Sequence, residues 1–146
     1  MKVLLQRVKK ASIKIENEIY SEIGAGLLIF LGVEKEDSDF QAHFLASKIC
    51  DLRIFEDEFG KMNLSVKDIE GEILIVSQFT LAGNCKKGTR PSFDTAKDPQ
   101  EANKLYENFV SFVKGNHSKV KTGVFGAMMD VELINNGPVT FILTKE

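Results

Sequence analysis

The chain has 146 residues, of which 43% are hydrophobic and 27% are charged. A domain of this length buries enough surface to fold without disulfides, so the composition excludes intrinsic disorder, a collagen-like fibre and a disulfide-built miniprotein. The 19 Lys and Arg residues against 21 Asp and Glu residues give a net charge of −2. This balance lacks the strong basic excess that is typical of a dedicated nucleic-acid binder.

The residue pattern contains no targeting or cofactor signal. No apolar run approaches the roughly 20 residues of a membrane-spanning helix, and the first residues lack the apolar core of a signal peptide. Cys50 and Cys85 lie too far apart for a redox motif, and neither His43 nor His117 falls within a catalytic motif. We therefore expect a cytoplasmic protein with free thiols, no membrane span, no metal site and no cofactor.

The first part of the chain predicts β-strands. Residues 2–8 and 11–15 form two strand patterns, and a polar turn at 17–18 leads into an alternating run at 19–23. Together these patterns indicate a hairpin. Residues 27–33 are continuously apolar, which is typical of a strand covered on both faces.

Two amphipathic helices are predicted. The first covers 38–52, where Ser38 and Gln41 form a capping box. Its expected apolar stripe consists of Phe40, Phe44, Leu45, Ile49 and Leu52. The second covers 98–115, with Asp98 as N-cap and a proline at the first helical position. Its expected apolar face consists of Ala102, Leu105, Tyr106, Phe109, Phe112 and Val113.

The remaining segments complete a mixed fold. We predict a turn at 57–60, a strand at 72–82, a polar loop at 83–97 and three short closing strands, near 120–125, 128–135 and 139–144. The order of strands and helices predicts a single α/β domain of mixed α+β character, spanning 1–146. Its sheets are expected to be mixed or antiparallel, with both helices on one side.

Polar side chains end the strand predicted over 72–82. Ser77, Gln78 and Thr80 interrupt an apolar run, and strand alternation puts Ser77 and Phe79 on one face. Buried polar groups cost free energy unless they are paired, so either a ligand meets them or the strand emerges into solvent here. The residues alone leave both interpretations open.

A turn signal lies at 135–140, which reads Asn-Asn-Gly-Pro-Val-Thr. Asn-Gly is typical of a hairpin turn, and this is the simpler interpretation. Gly137-Pro138 also permits a cis peptide bond at a cost of about 0.5–1 kcal/mol, which would fix the direction of its carbonyl groups. The sequence does not decide between the two isomers.

Together, the two segments resemble the signature motifs of the D-aminoacyl-tRNA deacylases. The motifs are Ser-Gln-Phe-Thr-Leu-Ala at 77–82 and Asn-Gly-Pro-Val-Thr at 136–140. Other stretches match the same family in order, at 6–8, 24–28, 32–34, 53–55, 60–64 and 90–93. The likeness spans essentially the whole chain.

The resemblance implies a compact three-layer β/β/α domain that works as a homodimer with active sites at the interface. The implied activity is hydrolysis of the ester that joins a D-amino acid, or mischarged glycine, to the 3′-terminal adenosine of tRNA. Gly137-Pro138 is then a cis dipeptide that enters the partner's site and leaves no room for an L side chain. Arg7 resembles the residue that braces this dipeptide, with a strand-surface cation as the alternative.

The implied catalytic segment is Ser77–Thr80. Backbone N–H groups of Phe79 and Thr80 are expected donors to the oxyanion. A Thr80 nucleophile needs a base, and neither motif contains a histidine or carboxylate. We therefore favour attack by water, assisted by the ribose 2′-hydroxyl of the tRNA. Phe125 and Met129 are expected as pocket walls or, equally, as core residues.

The tRNA is expected to bind mainly through charge. Lys86, Lys87 and Arg90 belong to the segment 86–97, whose four basic residues against one acidic residue give a local +3. A solvated loop is the alternative.

Two other classes of function compete with the enzyme. A non-catalytic dimeric tRNA- or RNA-binding module would keep the basic loop but has no need of the paired motifs. A structural dimerisation domain does not explain the polar strand end. A relaxed relative that removes L-amino acids is expected to hold Gly137-Pro138 trans, whereas Phe79 and Val139 fit the D-selective form.

Overall fold

A nearly closed β-sheet with two helices on one side makes up the fold. The computed structural model describes residues 1–146. The strands are β1 (Lys2–Ile15), β2 (Glu18–Ile23), β3 (Gly26–Gly32), β4 (Phe55–Glu56), β5 (Met62–Leu64), β6 (Glu72–Ser77), β7 (Val120–Thr122) and β8 (Asp130–Thr144). The helices are α1 (Asp39–Asp51), α2 (Pro99–Asn116) and a 3₁₀ helix (Phe79–Ala82) between β6 and α2.

Strand β1 organises the main sheet because it pairs with three other strands. Residues 2–8 are antiparallel to β3, residues 11–15 are antiparallel to β2, and the other edge of β1 is antiparallel to β8. Strand β6 is parallel to both β3 and β7. The Ser21 hydroxyl donates to the Thr122 carbonyl at 2.9 Å, which brings β2 beside β7 and nearly closes the sheet.

Each face of the sheet buries its own hydrophobic core. One core lies between the sheet and both helices and includes Leu27, Ile29 and Leu31 of β3. The other lies inside the curl of the sheet and includes Leu28. Full burial of one such leucine contributes about 1.5–3 kcal/mol. The prediction that this strand is covered on both faces is confirmed, as is the mixed α+β fold with its helices on one side.

Local chemistry sets the helix boundaries as predicted. Ser38 and Gln41 form the capping box of α1, and the Asp98 side chain accepts N–H bonds at the start of α2. The apolar face of α2 is confirmed at Ala102, Leu105, Tyr106, Phe109 and Val113, but Phe112 is only partly buried and Val110 joins the buried face. That helix runs one residue beyond Gly115, to Asn116. None of the helices is long and apolar enough to cross a membrane.

The predicted stripe of α1 is partly wrong. Phe40 and Phe44 are 63% and 40% exposed. The buried face instead consists of Ala42, Leu45, Ala46, Ile49 and Cys50. Small residues on this face let α1 lie close to α2 and the sheet, and the two rings turn outward to meet the Lys145 ammonium, 5.4 and 5.0 Å from their centroids.

Four of the predicted strands are joined into two in the structure. The strands predicted at 2–8 and 11–15 are one strand, β1, and the segments at 128–135 and 139–144 belong to one strand, β8. The ordinary hairpin interpretation of 135–140 is therefore wrong. A true hairpin does join β1 to β2, with its turn at Glu16 and Asn17, both of which have positive φ.

The strand predicted over 72–82 ends at Ser77. Gly32 explains why the chain turns there, since a Cβ at that position would lie 2.7 Å from Leu81 Cβ. The missing side chain lets the 3₁₀ helix fold back over the end of β3. The predicted alternation of Ser77 and Phe79 on one strand face is wrong for the same reason.

Candidate active site

A cleft of about 620 Å³ opens where β6 ends. We call it the β6 cleft. Its walls come from three segments: the end of β6 and the residues that follow it (Ser77, Gln78 and Phe79), the start of α2 with the preceding Lys97, and residues 125–131, which lead into β8. Strand alternation does not create this site, because the turn after Ser77 is what brings the polar segment to the cleft edge.

Backbone contacts hold the polar segment of the cleft in place. The Gln78 N–H donates to the Leu31 carbonyl of β3 at 2.8 Å. The Gln78 side-chain amide donates to the Thr80 hydroxyl at 2.5 Å. Thr80 is exposed and is not among the lining residues, so its side chain is linked to the cleft through Gln78.

The 3₁₀ helix begins at the cleft edge without a side-chain cap. N–H groups in the first turn of a helix have no partner inside the helix. Phe79 and Thr80 provide these N–H groups. They are therefore donors at the rim of the β6 cleft.

Phe125 and Met129 line the opposite wall, and each also packs against a hydrophobic core. The Phe125 ring lies 5.8 Å from the Tyr106 ring, and the Tyr106 hydroxyl donates to the Ile75 carbonyl at 3.1 Å. Burial raises the pKa of Tyr106 to about 12. Phe125 and Met129 therefore line the cleft and pack against the hydrophobic cores at the same time, and their contact with a substrate stays a prediction.

The β6 cleft contains no group suited to act as a general base. None of its lining residues is His, Asp or Glu, and Lys97 is the ionisable one. The Lys97 ammonium donates to the Lys35 carbonyl at 2.6 Å and lies 3.7 Å from a Glu101 carboxylate oxygen. His117 is bonded to the Gly71 carbonyl at 2.7 Å and lies outside the cleft.

The second motif forms a bulge in β8, which we call the Gly-Pro loop (residues 135–140). In the pairing of β1 with β8, Gln6 faces Thr140 and Val8 faces Asn135, so residues 136–139 stand opposite Arg7 alone. The Gly137-Pro138 bond is cis, and φ of Gly137 is +137°. A side chain is rarely tolerated at such a φ, which explains the glycine.

Side-chain hydrogen bonds close the Gly-Pro loop. The Asn135 side chain accepts from the Val139 N–H at 2.7 Å and donates to the Val139 carbonyl at 3.2 Å and the Thr140 hydroxyl at 2.9 Å. Sequence reasoning missed this residue. The signal was the tendency of Asn to bond the backbone around a turn.

Arg7 anchors the same loop from β1. Its Nε donates to the Asn136 carbonyl at 2.9 Å, and its Nη1 donates to the Ile54 carbonyl at 2.7 Å. Arg7 is 4% exposed, so the alternative of a strand-surface cation is wrong. The guanidinium ties the Gly-Pro loop to the segment that leads into β4.

The two motifs do not meet within one chain. Gly137 and Pro138 are exposed, and neither lines the β6 cleft. Strand β8 contributes Val131, near its start, to the cleft, whereas the Gly-Pro loop lies further along the same strand, where Arg7 of β1 anchors it. The structure therefore brings Ser77, Gln78, Phe79, Phe125 and Met129 together, and places the Gly-Pro loop elsewhere on the surface.

The predicted basic residues lie on an exposed loop whose base is fixed. Asn84 and Ser92 exchange backbone hydrogen bonds of 2.7 and 3.0 Å. Lys86, Lys87 and Arg90 lie between them, are exposed, and form none of the ion pairs of the chain. We call residues 84–92 the basic loop.

Comparisons with known proteins identify the fold and the enzyme class. A family model described as D-Tyr-tRNA(Tyr) deacylase matches residues 4–144. The D-aminoacyl-tRNA deacylase of Thermodesulfovibrio yellowstonii is 58% identical over 143 residues, 98% of each chain. That of Dictyoglomus turgidum is 53% identical over 146 residues, 100% of this chain and 94% of the relative.

Solved structures agree with this result. The c-Myc DNA Unwinding Element Binding Protein has a TM-score of 0.95 and 40% identity, covering 100% of this chain and 99% of its own. A probable eukaryotic D-amino acid tRNA deacylase has a TM-score of 0.86 at 20% identity, covering 97% of each chain, which is a likeness of fold.

These matches define the class of protein: it is a hydrolase that acts on ester bonds. The chain belongs to the D-Tyr-tRNA(Tyr) deacylase family. The resemblance carried by the two motifs and the expected class of enzyme are thereby confirmed.

Proposed function

We propose that this protein hydrolyses the ester between a D-amino acid and the 3′-terminal adenosine of tRNA, and also releases glycine from mischarged tRNA. The observation that carries the proposal is the β6 cleft, where amide and hydroxyl groups face an apolar wall. Its relatives at 53–58% identity are named D-aminoacyl-tRNA deacylases. We place the reaction in the cytoplasm, where charged tRNA is used.

The cleft is suited to an adenosine that carries an aminoacyl ester. Phe125 and Met129 offer an apolar surface to the base. Ser77 and Gln78 offer polar contacts to the ribose and the ester. In this arrangement Gln78 also orients the Thr80 hydroxyl, with which it shares a hydrogen bond.

The reaction needs a group that stabilises the oxyanion formed when the ester carbonyl is attacked. The uncapped N–H groups of Phe79 and Thr80 supply two donors at the cleft edge. Because no His, Asp or Glu lines the cleft, Thr80 has no base to activate it as a nucleophile. Water therefore attacks the ester with help from the tRNA 2′-hydroxyl, and Thr80 positions the substrate.

Chiral selection requires the second motif, which one chain keeps away from its own cleft. We propose a homodimer in which the Gly-Pro loop of each subunit enters the β6 cleft of the other. Gly137-Pro138 then faces the substrate α-amino group and occupies the space of an L side chain. Glycine has no side chain to exclude, so glycyl-tRNA is accepted as well.

The acceptor end of the tRNA is held by charge. Lys86, Lys87 and Arg90 have no carboxylate partner in the chain, so they are available for phosphates. A protein that holds only the end of the tRNA needs such a local cluster and not a basic overall charge.

An ester-release assay tests the proposal with three substrates, D-Tyr-tRNA, L-Tyr-tRNA and Gly-tRNA. We expect release from the first and third and intact ester in the second. Gln78→Ala should lower release, while Gln100→Ala on the exposed start of α2 serves as a matched control. Binding of D-Tyr-tRNA without release would favour the non-catalytic RNA-binding module, and equal release of both enantiomers would exclude only the chiral selection.

A further inference from the structure

An exposed aromatic pair lies between the β6 cleft and the basic loop. The rings of Phe79 and Phe93 have centroids 4.9 Å apart and are tilted by 46°. Phe79 is 57% exposed and Phe93 is 37% exposed. Phe79 also lines the cleft, so the pair continues the cleft wall outward.

The backbone fixes the position of the Phe93 ring. A Cβ on Gly83 would lie 3.0 Å from Phe93 Cε1, so the ring rests directly against the glycine. The neighbouring residue Ser92 is paired with Asn84 in both directions. The ring is therefore held on one side by the 3₁₀ helix and on the other by the base of the basic loop.

Charge around the pair favours a polyanion. The basic loop carries Lys86, Lys87 and Arg90 and projects from the residue pair next to Phe93. The nearest carboxylate in sequence, Asp94, already accepts the Ser92 hydroxyl at 2.6 Å. An apolar peptide would gain nothing from three exposed cations, whereas a single-stranded nucleic acid offers both phosphates and bare base faces.

We propose that Phe79 and Phe93 form a stacking platform for an unpaired nucleotide that precedes the terminal adenosine of the bound tRNA. The terminal adenosine occupies the β6 cleft, the preceding base lies on the exposed rings, and the strand's phosphates contact the basic loop. The inference rests on the proposed function, because it needs the tRNA 3′ end in the cleft. Unstacked bases of single-stranded RNA commonly lie on aromatic side chains in this way.

The test compares the binding of two uncharged tRNAs, one intact and one lacking its unpaired 3′ nucleotides. Phe93→Leu keeps an apolar contact with Phe79 but removes the aromatic face, and Phe93→Tyr keeps that face. Phe59→Leu is the matched control, since Phe59 is an aromatic residue of the 57–60 turn that is 77% exposed. Dissociation constants are measured at one fixed salt concentration, with thermal unfolding as a check on folding.

We expect Phe93→Leu to raise the dissociation constant for intact tRNA by about 5- to 100-fold, which is the range for the loss of one stacked base. Phe93→Tyr and Phe59→Leu should bind within about 2-fold of the unmodified protein. The trimmed tRNA should bind the unmodified protein more weakly and be insensitive to Phe93→Leu. The salt dependence should be unchanged by Phe93→Leu, but each Lys→Ala change at Lys86 or Lys87 should lower its slope by about one.

Three results would overturn the platform. They are unchanged binding of intact tRNA by Phe93→Leu, equal weakening of both tRNAs, and equal affinity of the unmodified protein for both tRNAs. The comparison of the two tRNAs with the unmodified protein needs no variant, so it tests the platform even if Phe93→Leu misfolds. Failure of the proposed function is distinguishable, because it appears as absent ester release from D-Tyr-tRNA by the unmodified protein.

Discussion

The β6 cleft and the Gly-Pro loop carry the two motifs of the family, and they use their polar groups in opposite ways. The cleft is concave and is lined by Ser77 and Gln78, and the 3₁₀ helix at its edge begins without a side-chain cap. The loop bulges outward, and Asn135 and Arg7 tie it firmly to its own chain. In the proposed homodimer, the cleft receives the substrate and the loop of the partner is inserted beside it, so that neither region makes a complete site alone.

The largest effect on activity is expected from a change in the substrate and not in the protein. Because no general base lines the cleft, replacing the terminal ribose 2′-hydroxyl by hydrogen should lower turnover of D-Tyr-tRNA by about 10²- to 10⁴-fold. Single-turnover release from the matched 2′-deoxy and 2′-hydroxy substrates measures this. Near-normal rates with the deoxy substrate, together with loss of activity in Thr80→Ala, would instead identify Thr80 as a nucleophile.

The second prediction separates a site within one chain from a site shared by two. Gly137→Ala damages the loop, because the new Cβ would lie 2.7 Å from Val139 Cγ2 at an unfavourable φ. Gln78→Ala damages the cleft. Each homodimer should lose about 10-fold or more of its activity, whereas a purified mixed dimer should regain about half of the unmodified activity, since one of its two sites is intact.

A matched control accompanies this complementation. Gly137→Ala paired with Pro138→Ala leaves both loops damaged, so that mixed dimer should stay as inactive as its parents. If the mixed dimer of loop and cleft variants is equally inactive, the shared site is wrong. Failure to isolate any mixed dimer would argue against the homodimer itself.

The same two regions explain how far the sequence alone could predict this molecule. Ser38 with Gln41, and Asp98 with the following proline, act on the backbone within four residues, so these helix starts were predicted correctly. The end of β6 was not predicted correctly. It depends on Gly32, a residue of another strand, because the missing side chain there leaves room for the 3₁₀ helix. The motifs pointed to the candidate site residues, but separating them into cleft and loop required the folded arrangement of the strands.

The third prediction concerns the rigidity of the loop. Asn135→Ala removes a side chain that makes three hydrogen bonds across the Gly-Pro loop. Loss of its pairing with the backbone should cost about 1–3 kcal/mol of stability. If the loop selects chirality, the ratio of D- to L-Tyr-tRNA release should also fall, by about 10-fold for each 1.4 kcal/mol of positioning lost.

The ratio is the informative measurement here, because a purely structural role would lower both rates together. Asn135→Asp, which keeps the shape and the acceptor but loses the donor, should fall between Ala and the unmodified protein. Asn116→Ala, at the exposed end of α2, is the control and should leave the ratio unchanged.

The smallest effect is expected at the support of the cleft wall. Tyr106→Phe keeps the ring beside Phe125 but loses the hydrogen bond to the Ile75 carbonyl, which should cost about 1 kcal/mol. Ester release should change by less than about 3-fold, because the Phe125 contact remains.

The pH dependence of that variant isolates the tyrosine. The folded pKa of Tyr106 is raised to about 12, whereas the unfolded pKa is about 10. Its stabilising contribution is thus complete below pH 10 and is lost as pH rises from 10 to 12, at about 1.4 kcal/mol per pH unit. Because the unmodified protein is only about 1 kcal/mol more stable than Tyr106→Phe below pH 10, the difference in unfolding free energy should reach zero within about one pH unit above pH 10 and change sign before pH 12. A constant difference would show that the hydroxyl is solvated and the cleft wall is looser than described.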